Sequence, residues 1–136
     1  MLVVDASVLA VALLDDGPDG DHLRARLRSE DLAAPSLIDL EVVSVWRRLA
    51  QGGQLDARRV ALALDDLRAL PLQRADHGAL LMRCWELQEN LTVDDASYVA
   101  LAEALQATLL TGDRRIARAP GPTCPIEVVK PSSHPH

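Results

Sequence analysis

Short runs of apolar residues alternate along the chain with longer segments in which apolar residues recur every three or four positions. The runs at 1–4 and 107–110 are too short for helices and are typical of strands buried on both faces. The segment 19–29 has helical periodicity, with Leu23 and Leu27 on one face. The whole pattern predicts strands at 1–4, 31–34, 71–74, 107–110 and 126–129, and helices at 8–14, 19–29, 36–51, 56–70, 78–88, 94–105 and 114–118.

Capping and turn residues separate these elements. Asp5 or Ser7 is expected to cap the first helix, and Ser36 is expected to cap the third. Strands that alternate with helices form a parallel sheet with right-handed crossovers and helices on both faces. We therefore predict an α/β fold, an α/β/α sandwich around a central parallel sheet, as one domain over 1–129. A disordered tail is predicted at 130–136.

Composition and charge narrow the class of protein. Two cysteines, Cys84 and Cys124, are too few for a disulfide framework, and no apolar run approaches the roughly 20 residues of a membrane span. We therefore expect a cytoplasmic protein with reduced thiols and no membrane association. The net charge of −6 argues against a nucleic-acid coat protein, which would be basic, but it allows an enzyme that holds phosphates through metal ions.

Four acidic residues lie where the predicted elements meet. Asp5 ends the first strand, Asp113 follows the fourth, and Asp95 opens the helix before the fourth strand. These three converge if the first and fourth strands are neighbours, because ligands bind at the carboxyl ends of parallel strands. Glu41 lies one turn into the helix after the second strand, among apolar neighbours, where its carboxylate needs a partner such as Arg48.

Such a cluster of acids predicts a divalent cation. Oxygen ligands without lysines nearby favour Mg²⁺ or Mn²⁺ over zinc, and such ions activate water and stabilise phosphodiester transition states. Each acid also has a purely structural interpretation. Asp5 and Asp95 are suitable helix caps, Asp94 is a cap or a solvated residue, and Asp113 is a suitable turn residue. His22 and His77 have no partner at metal-ligand spacing and are predicted to lie at the surface.

Several segments, in this order, resemble those of the PIN-domain ribonucleases. They are LVVDAS at 2–7, the helical Glu41, DDASYVALAEAL at 94–105 and LLTGDRRIA at 109–117. The last two are similar to VapC-type toxins of bacterial toxin–antitoxin pairs, and the resemblance extends from Met1 to about Val129. It implies a helix-flanked sheet, an acidic Mg²⁺ site (with Mn²⁺ as a possible substitute), cleavage of RNA as an endoribonuclease, and a small VapB-like antitoxin that blocks the site.

The resemblance also implies roles for individual residues. Asp5, Glu41, Asp95 and Asp113 match the catalytic, metal-binding acids of the family, and Ser7 and Thr111 match small hydroxyl residues that support the site. Two positions depart from the pattern without removing an acid. Asp94 stands where many members carry an aromatic or small residue, and Ser44 stands where many carry Asn.

The resemblance further implies a homodimer or a toxin–antitoxin hetero-oligomer. A basic partner side chain, and Arg in particular, is expected to enter the acidic crevice and compete with metal ions. The apolar faces of the helices at 36–51 and 56–70 are expected to hold an amphipathic partner segment, although the same faces must also cover the sheet.

Two other functions remain open from the residues alone. A phosphoryl-aspartate phosphatase or receiver-like protein would have paired acids after the first strand and a lysine late in the sheet. This chain has a single acid in Asp5-Ala-Ser7, and Lys130, its only lysine, follows the last strand. A non-enzymatic PIN-like binding module would use the same acids to hold a structural cation.

Overall fold

Five parallel strands alternate with seven α-helices in the computed structural model, which describes residues 1–129. The predicted disordered tail at 130–136 lies outside the described residues. The elements in chain order are β1 (Leu2–Val4), α1 (Ala6–Leu14), α2 (Pro18–Leu27), β2 (Leu32–Pro35), α3 (Ile38–Gln51), α4 (Ala57–Ala69), β3 (Leu72–Ala75), α5 (Leu81–Glu86), α6 (Val93–Leu105), β4 (Thr108–Thr111), α7 (Arg114–Arg118) and β5 (Ile126–Val128).

The strands form one sheet in the order β3-β2-β1-β4-β5, and every neighbouring pair is parallel. The predicted α/β class and parallel sheet are confirmed. β1 lies at the centre and pairs with β4, with Val4 opposite Leu110. The first and fourth strands are therefore neighbours, which is the condition under which Asp5 and Asp113 reach the same edge of the sheet.

Helix α6 contains a long continuous run of buried residues near this edge. Every residue from 96 to 102 is buried, and the helix packs on β1, β2, β4 and α5. Small residues such as Ala96 and Ala100 let its backbone approach the sheet closely, and α1 packs against α2, α3 and α4. Among the helices of residues 1–129, none has the length and apolar character that crossing a membrane requires.

Three predicted helix starts differ from those in the structure by two residues or more, at α1, α3 and α5, and the first of these helices begins at Ala6 and not at residue 8. Ser36 does not cap α3, because its hydroxyl donates to the Ala75 carbonyl 3.0 Å away and so joins the ends of β2 and β3. The Leu37 N–H at the start of α3 instead donates to Nε2 of His77 at 3.1 Å. His77, predicted to lie at the surface without a partner at metal-ligand spacing, is instead partly buried and has a capping role. The predicted helix at 78–88 is a 3₁₀ turn at Gly78–Leu80 followed by α5.

Candidate active site

Four acids from four separate segments line one cavity of about 180 Å³ at the carboxyl end of β1 and β4. Its lining consists of Asp5, Ala6, Ser7, Glu41, Asp95, Tyr98, Asp113 and Ile116. The topology explains the convergence, because Asp5 follows β1, Asp113 follows β4, and α3 and α6 supply Glu41 and Asp95. The structure thus brings together all four residues proposed from the sequence, while their roles as ligands stay predictions.

Asp5 is buried, with 7% of its surface exposed, and both of its carboxylate oxygens accept hydrogen bonds. Oδ1 accepts from the Ser7 hydroxyl at 2.7 Å and from the Val8 N–H at 3.1 Å, which caps α1 as predicted. Oδ2 accepts from the hydroxyl of the fully buried Thr111. Burial raises the pKa of Asp5, and these hydrogen bonds only partly offset that rise. Ser7 and Thr111 therefore hold Asp5 in a fixed orientation.

Asp95 does not cap α6, because Thr92 does. The Thr92 hydroxyl accepts from the Asp95 backbone N–H at 3.1 Å, so the helix start does not need the Asp95 side chain. Burial raises the pKa of Asp95, and the negative charge of Asp113 raises it further. The capping interpretation of Asp95 is therefore wrong, and its carboxylate faces the cavity at some electrostatic cost.

Glu41 has a hydrogen-bond partner other than the predicted Arg48. The hydroxyl of Tyr98 donates to Oε1 of Glu41 at 2.5 Å, so Tyr98 takes the place that was predicted for Arg48. The Tyr98 side chain is only 2% exposed and joins α6 to α3. Burial raises the pKa of Glu41, and the nearby carboxylates of Asp94, Asp95 and Asp5 raise it further. The position of Tyr98 in the cavity could have been predicted from its spacing, because residues three apart share a helix face and Tyr98 follows Asp95 by three positions.

Asp113 has a different environment from the other three acids. It caps the short helix α7 by accepting from the Arg115 N–H at 2.9 Å. The Arg115 guanidinium also donates to both of its oxygens, at 3.1 Å from Nε to Oδ1 and 2.8 Å from Nη2 to Oδ2. These hydrogen bonds lower the pKa of Asp113. Three of the four acids thus have raised pKa values, whereas the fourth is held in its charged form.

Asp94 lies beside this cavity, on a neighbouring groove. The groove has a volume of about 420 Å³ and is also lined by Ser44 and Arg48. It shares Ala6 and Glu41 with the acidic cavity. Asp94 is exposed, so it contributes charge near the site without lining the acidic cavity itself.

The acidic cavity offers the oxygen ligands that a hard divalent cation prefers. It offers several carboxylate oxygens, and burial raises the pKa values of Asp5, Glu41 and Asp95. Within residues 1–129, no three Asp, Glu, His or Cys side chains form a ready group of metal ligands. Because Mg²⁺ prefers oxygen ligands and commonly binds through one or two carboxylates together with several waters, the carboxylates that line this cavity fit such an ion.

Comparison with known proteins identifies relatives over nearly the whole length. Residues 2–122 match the family model described as PIN domain. Ribonuclease VapC9 of Mycobacterium tuberculosis is 44% identical over 129 residues, which cover 95% of this chain and 98% of that protein. Ribonuclease VapC1 of the same species is 40% identical, with 94% and 97% covered. Ribonuclease VapC3 is 38% identical, with 87% and 86% covered.

Proposed function

Because this chain belongs to the PIN domain family, we propose that it is a Mg²⁺-dependent endoribonuclease and the toxin of a VapBC-type toxin–antitoxin pair. One observation supports the nuclease proposal above all: four carboxylates from separate segments line a single cavity at the sheet edge. A fold gains no stability from clustering acids whose pKa values are raised, so the cluster calls for a cation. We propose RNA as the substrate because relatives of this chain are named as ribonucleases.

In this proposal Asp5, Asp95 and Asp113 supply most of the protein ligands of the divalent ion, with Glu41 nearby or bound through water. Their side chains would have to move closer together to hold the ion, because no three acids of residues 1–129 already form a group of metal ligands. Such an ion, when bound, activates water and offsets the charge that develops on the phosphodiester. Tyr98 holds Oε1 of Glu41, so the second oxygen is available to accept the proton of the attacking water. A raised pKa suits that role, because a general base works best when its pKa lies near the operating pH. The attack is in line with the departing ribose oxygen.

The proposed partner is a small antitoxin with a basic segment. An arginine of that segment would enter the acidic cavity and compete with the divalent ion for the carboxylates. The net charge of −6 favours such a partner, and association should weaken as salt screens the charges. The groove beside the cavity, with the exposed Leu40 at its edge, offers apolar surface for the rest of the segment. Self-association of the toxin belongs to the same proposal.

Cleavage of RNA by purified protein with and without Mg²⁺ tests the nuclease proposal. Asp5→Asn and Asp95→Asn should each lower the cleavage rate by about 100-fold or more, because each removes a charge that helps to hold the ion. Asp65→Asn is the matched control, since Asp65 is an exposed acid on α4, far along the chain from the cavity residues. Full activity in both cavity variants would refute the proposal. Divalent-ion binding without any cleavage would instead indicate a non-enzymatic module.

Co-expression with the product of the neighbouring small gene tests the toxin proposal. Expression of this chain alone should slow growth, and the partner should relieve the effect. Replacing one basic residue in the partner's segment should weaken that relief. If the two proteins fail to associate in dilute salt and expression of this chain does not slow growth, the toxin proposal fails even if the nuclease proposal passes its own test.

A further inference from the structure

Arg115 is the only cation that hydrogen-bonds to an acid of the cavity within the described residues. Its guanidinium donates to both carboxylate oxygens of Asp113. The side chain of Arg115 is 88% exposed, whereas that of Asp113 is 28% exposed. The same short helix carries Arg114 and Arg118, which make no hydrogen bond to Asp113 in residues 1–129. One of three neighbouring arginines is therefore singled out by its contact with a predicted metal ligand.

We propose that Arg115 is an exchangeable counterion, which leaves Asp113 when a divalent cation binds there and then binds a phosphate of the substrate RNA. The second half of this inference rests on the proposed function. The first half concerns only Asp113, Arg115 and a divalent ion.

The contact is suited to exchange because it is exposed. An ion pair open to solvent is weak and is screened by salt, so a divalent ion can compete with it. Arginine does not lose its proton in proteins, so its charge is removed from Asp113 only when the side chain moves. A divalent ion beside Asp113 would repel the guanidinium and favour that movement. The backbone cap from the Arg115 N–H would remain, so α7 need not unfold.

The released side chain has the right chemistry for RNA. A guanidinium offers a planar fork of donors that matches a phosphate as well as it matches a carboxylate. Arg115 lies two residues from Asp113, so its released fork stays beside the cavity where the phosphodiester must sit. A cation at this point would also reduce repulsion between the RNA and the acidic cavity.

Binding of Mn²⁺ alone, followed by calorimetry, tests the first half without any RNA. Arg115→Gln should bind Mn²⁺ about two- to fivefold more tightly than the wild type, the range expected when an exposed ion pair no longer competes. Arg114→Gln is the matched control, because it removes the same charge from the same helix without touching Asp113. Its Mn²⁺ affinity should change less. Equal affinity in the two variants, or weaker binding by Arg115→Gln, would overturn the inference.

Steady-state cleavage at saturating Mg²⁺ tests the second half. Arg115→Gln should raise KM for RNA about tenfold, as expected for loss of a charge-assisted contact, while Arg114→Gln changes KM less. Arg115→Lys keeps the charge but loses the planar fork of donors, so its KM for RNA should lie between those of the wild type and Arg115→Gln. An unchanged KM in Arg115→Gln would overturn the exchange even if RNA is cleaved. If the wild type cleaves no RNA, the proposed function fails, and the Mn²⁺ experiment alone decides whether Arg115 competes for Asp113.

Discussion

Replacement of Asp5 by Asn is expected to leave the free energy of unfolding almost unchanged, although it removes a buried hydrogen-bonded charge. Burial raises the pKa of Asp5 above its ordinary value of 3.8. A carboxyl group with a higher pKa in the folded state binds its proton more tightly there, so its charge destabilises the fold at neutral pH. Asn carries no charge at any pH and relieves that cost.

The size of the change in the free energy of unfolding follows from the hydrogen bonds of the two Asp5 carboxylate oxygens. Asn keeps an oxygen that can accept from Val8 N–H and Ser7, so a cap worth about 1 kcal/mol is retained. It loses the charge-assisted bond from Thr111, worth about 1.5–3 kcal/mol, while relief of the buried charge acts in the opposite direction. We expect a net change within about 1 kcal/mol, or roughly 3–5 °C in Tm for a chain of this size.

Asp5→Ala provides the comparison, because it removes the same charge and also the polar atoms. It loses the cap, about 1 kcal/mol, and leaves the fully buried Thr111 hydroxyl without any polar partner at position 5, about 1–3 kcal/mol, whereas the amide N–H of Asn can still donate to that hydroxyl. Asp5→Ala should therefore be about 2–4 kcal/mol less stable than Asp5→Asn. Urea unfolding in EDTA, followed by circular dichroism, measures both variants.

The direction in which the stability difference between wild type and Asp5→Asn changes with pH tests whether the Asp5 charge destabilises the fold. As pH falls, the wild type gains stability relative to Asp5→Asn, because protonation removes the buried charge from the wild type only.

Glu103 should show a pH dependence of the opposite sign, because hydrogen bonds from Arg83 lower its pKa below the ordinary value of 4.5. The wild type should be more stable than Glu103→Gln at neutral pH and lose that advantage as pH falls through the lowered pKa. A difference between wild type and Asp5→Asn that does not change with pH, or a loss above about 2 kcal/mol in Asp5→Asn, would refute the reasoning.

Three further predictions concern the cavity. Tyr98→Phe should lower kcat about tenfold while changing Tm by only a few degrees, because it frees Glu41 but keeps the buried ring; cleavage assays and thermal melts check this. Mg²⁺ at 100 times its Kd should raise the free energy of unfolding by about 2.7 kcal/mol, and melts of Asp95→Asn should show a smaller gain. Mn²⁺ affinity measured by calorimetry should fall between neutral and weakly acidic pH, because the raised pKa values of Asp5, Glu41 and Asp95 favour their protonation; a constant affinity would contradict this.

The sequence predicts the fold and the place of the acids because both depend on local patterns. Short aliphatic runs define the strands, and a residue that directly follows a parallel strand must lie at its carboxyl edge. Asp5 and Asp113 are such residues, so their convergence required only that β1 and β4 pair, as they do. The element bounds differ from the prediction mainly at the ends, where capping depends on contacts distant in sequence.

The partners of the acids were harder to predict because they come from other segments. Tyr98 lies 57 residues from Glu41, and sequence spacing suggested the nearby Arg48 instead. His77 caps the start of α3 from 40 residues away, in a position that pattern alone assigned to Ser36. Thr92 could have been recognised as a cap from its residue type, but two acids at 94 and 95 competed for that interpretation.

The cavity is built so that its acids are fixed in place while their charge stays poorly compensated. Ser7 and Thr111 hold Asp5, Tyr98 holds Glu41, and Thr92 relieves Asp95 of capping. These partners are neutral, so Ser7, Thr111 and Tyr98 fix the orientation of Asp5 and Glu41 without neutralising their charges. Acids elsewhere are treated differently: Glu103 and Glu127 are paired with Arg83 and Arg26, and their pKa values are lowered. The chain has 13 arginines, yet the hydrogen-bond partners of Asp5 and Glu41 are neutral. The negative charges of these acids are therefore available to bind a positively charged ligand. Among residues 1–129 Arg115 is the exception, because it pairs with Asp113 through an exposed contact, and this exposure is why we propose that a ligand displaces it.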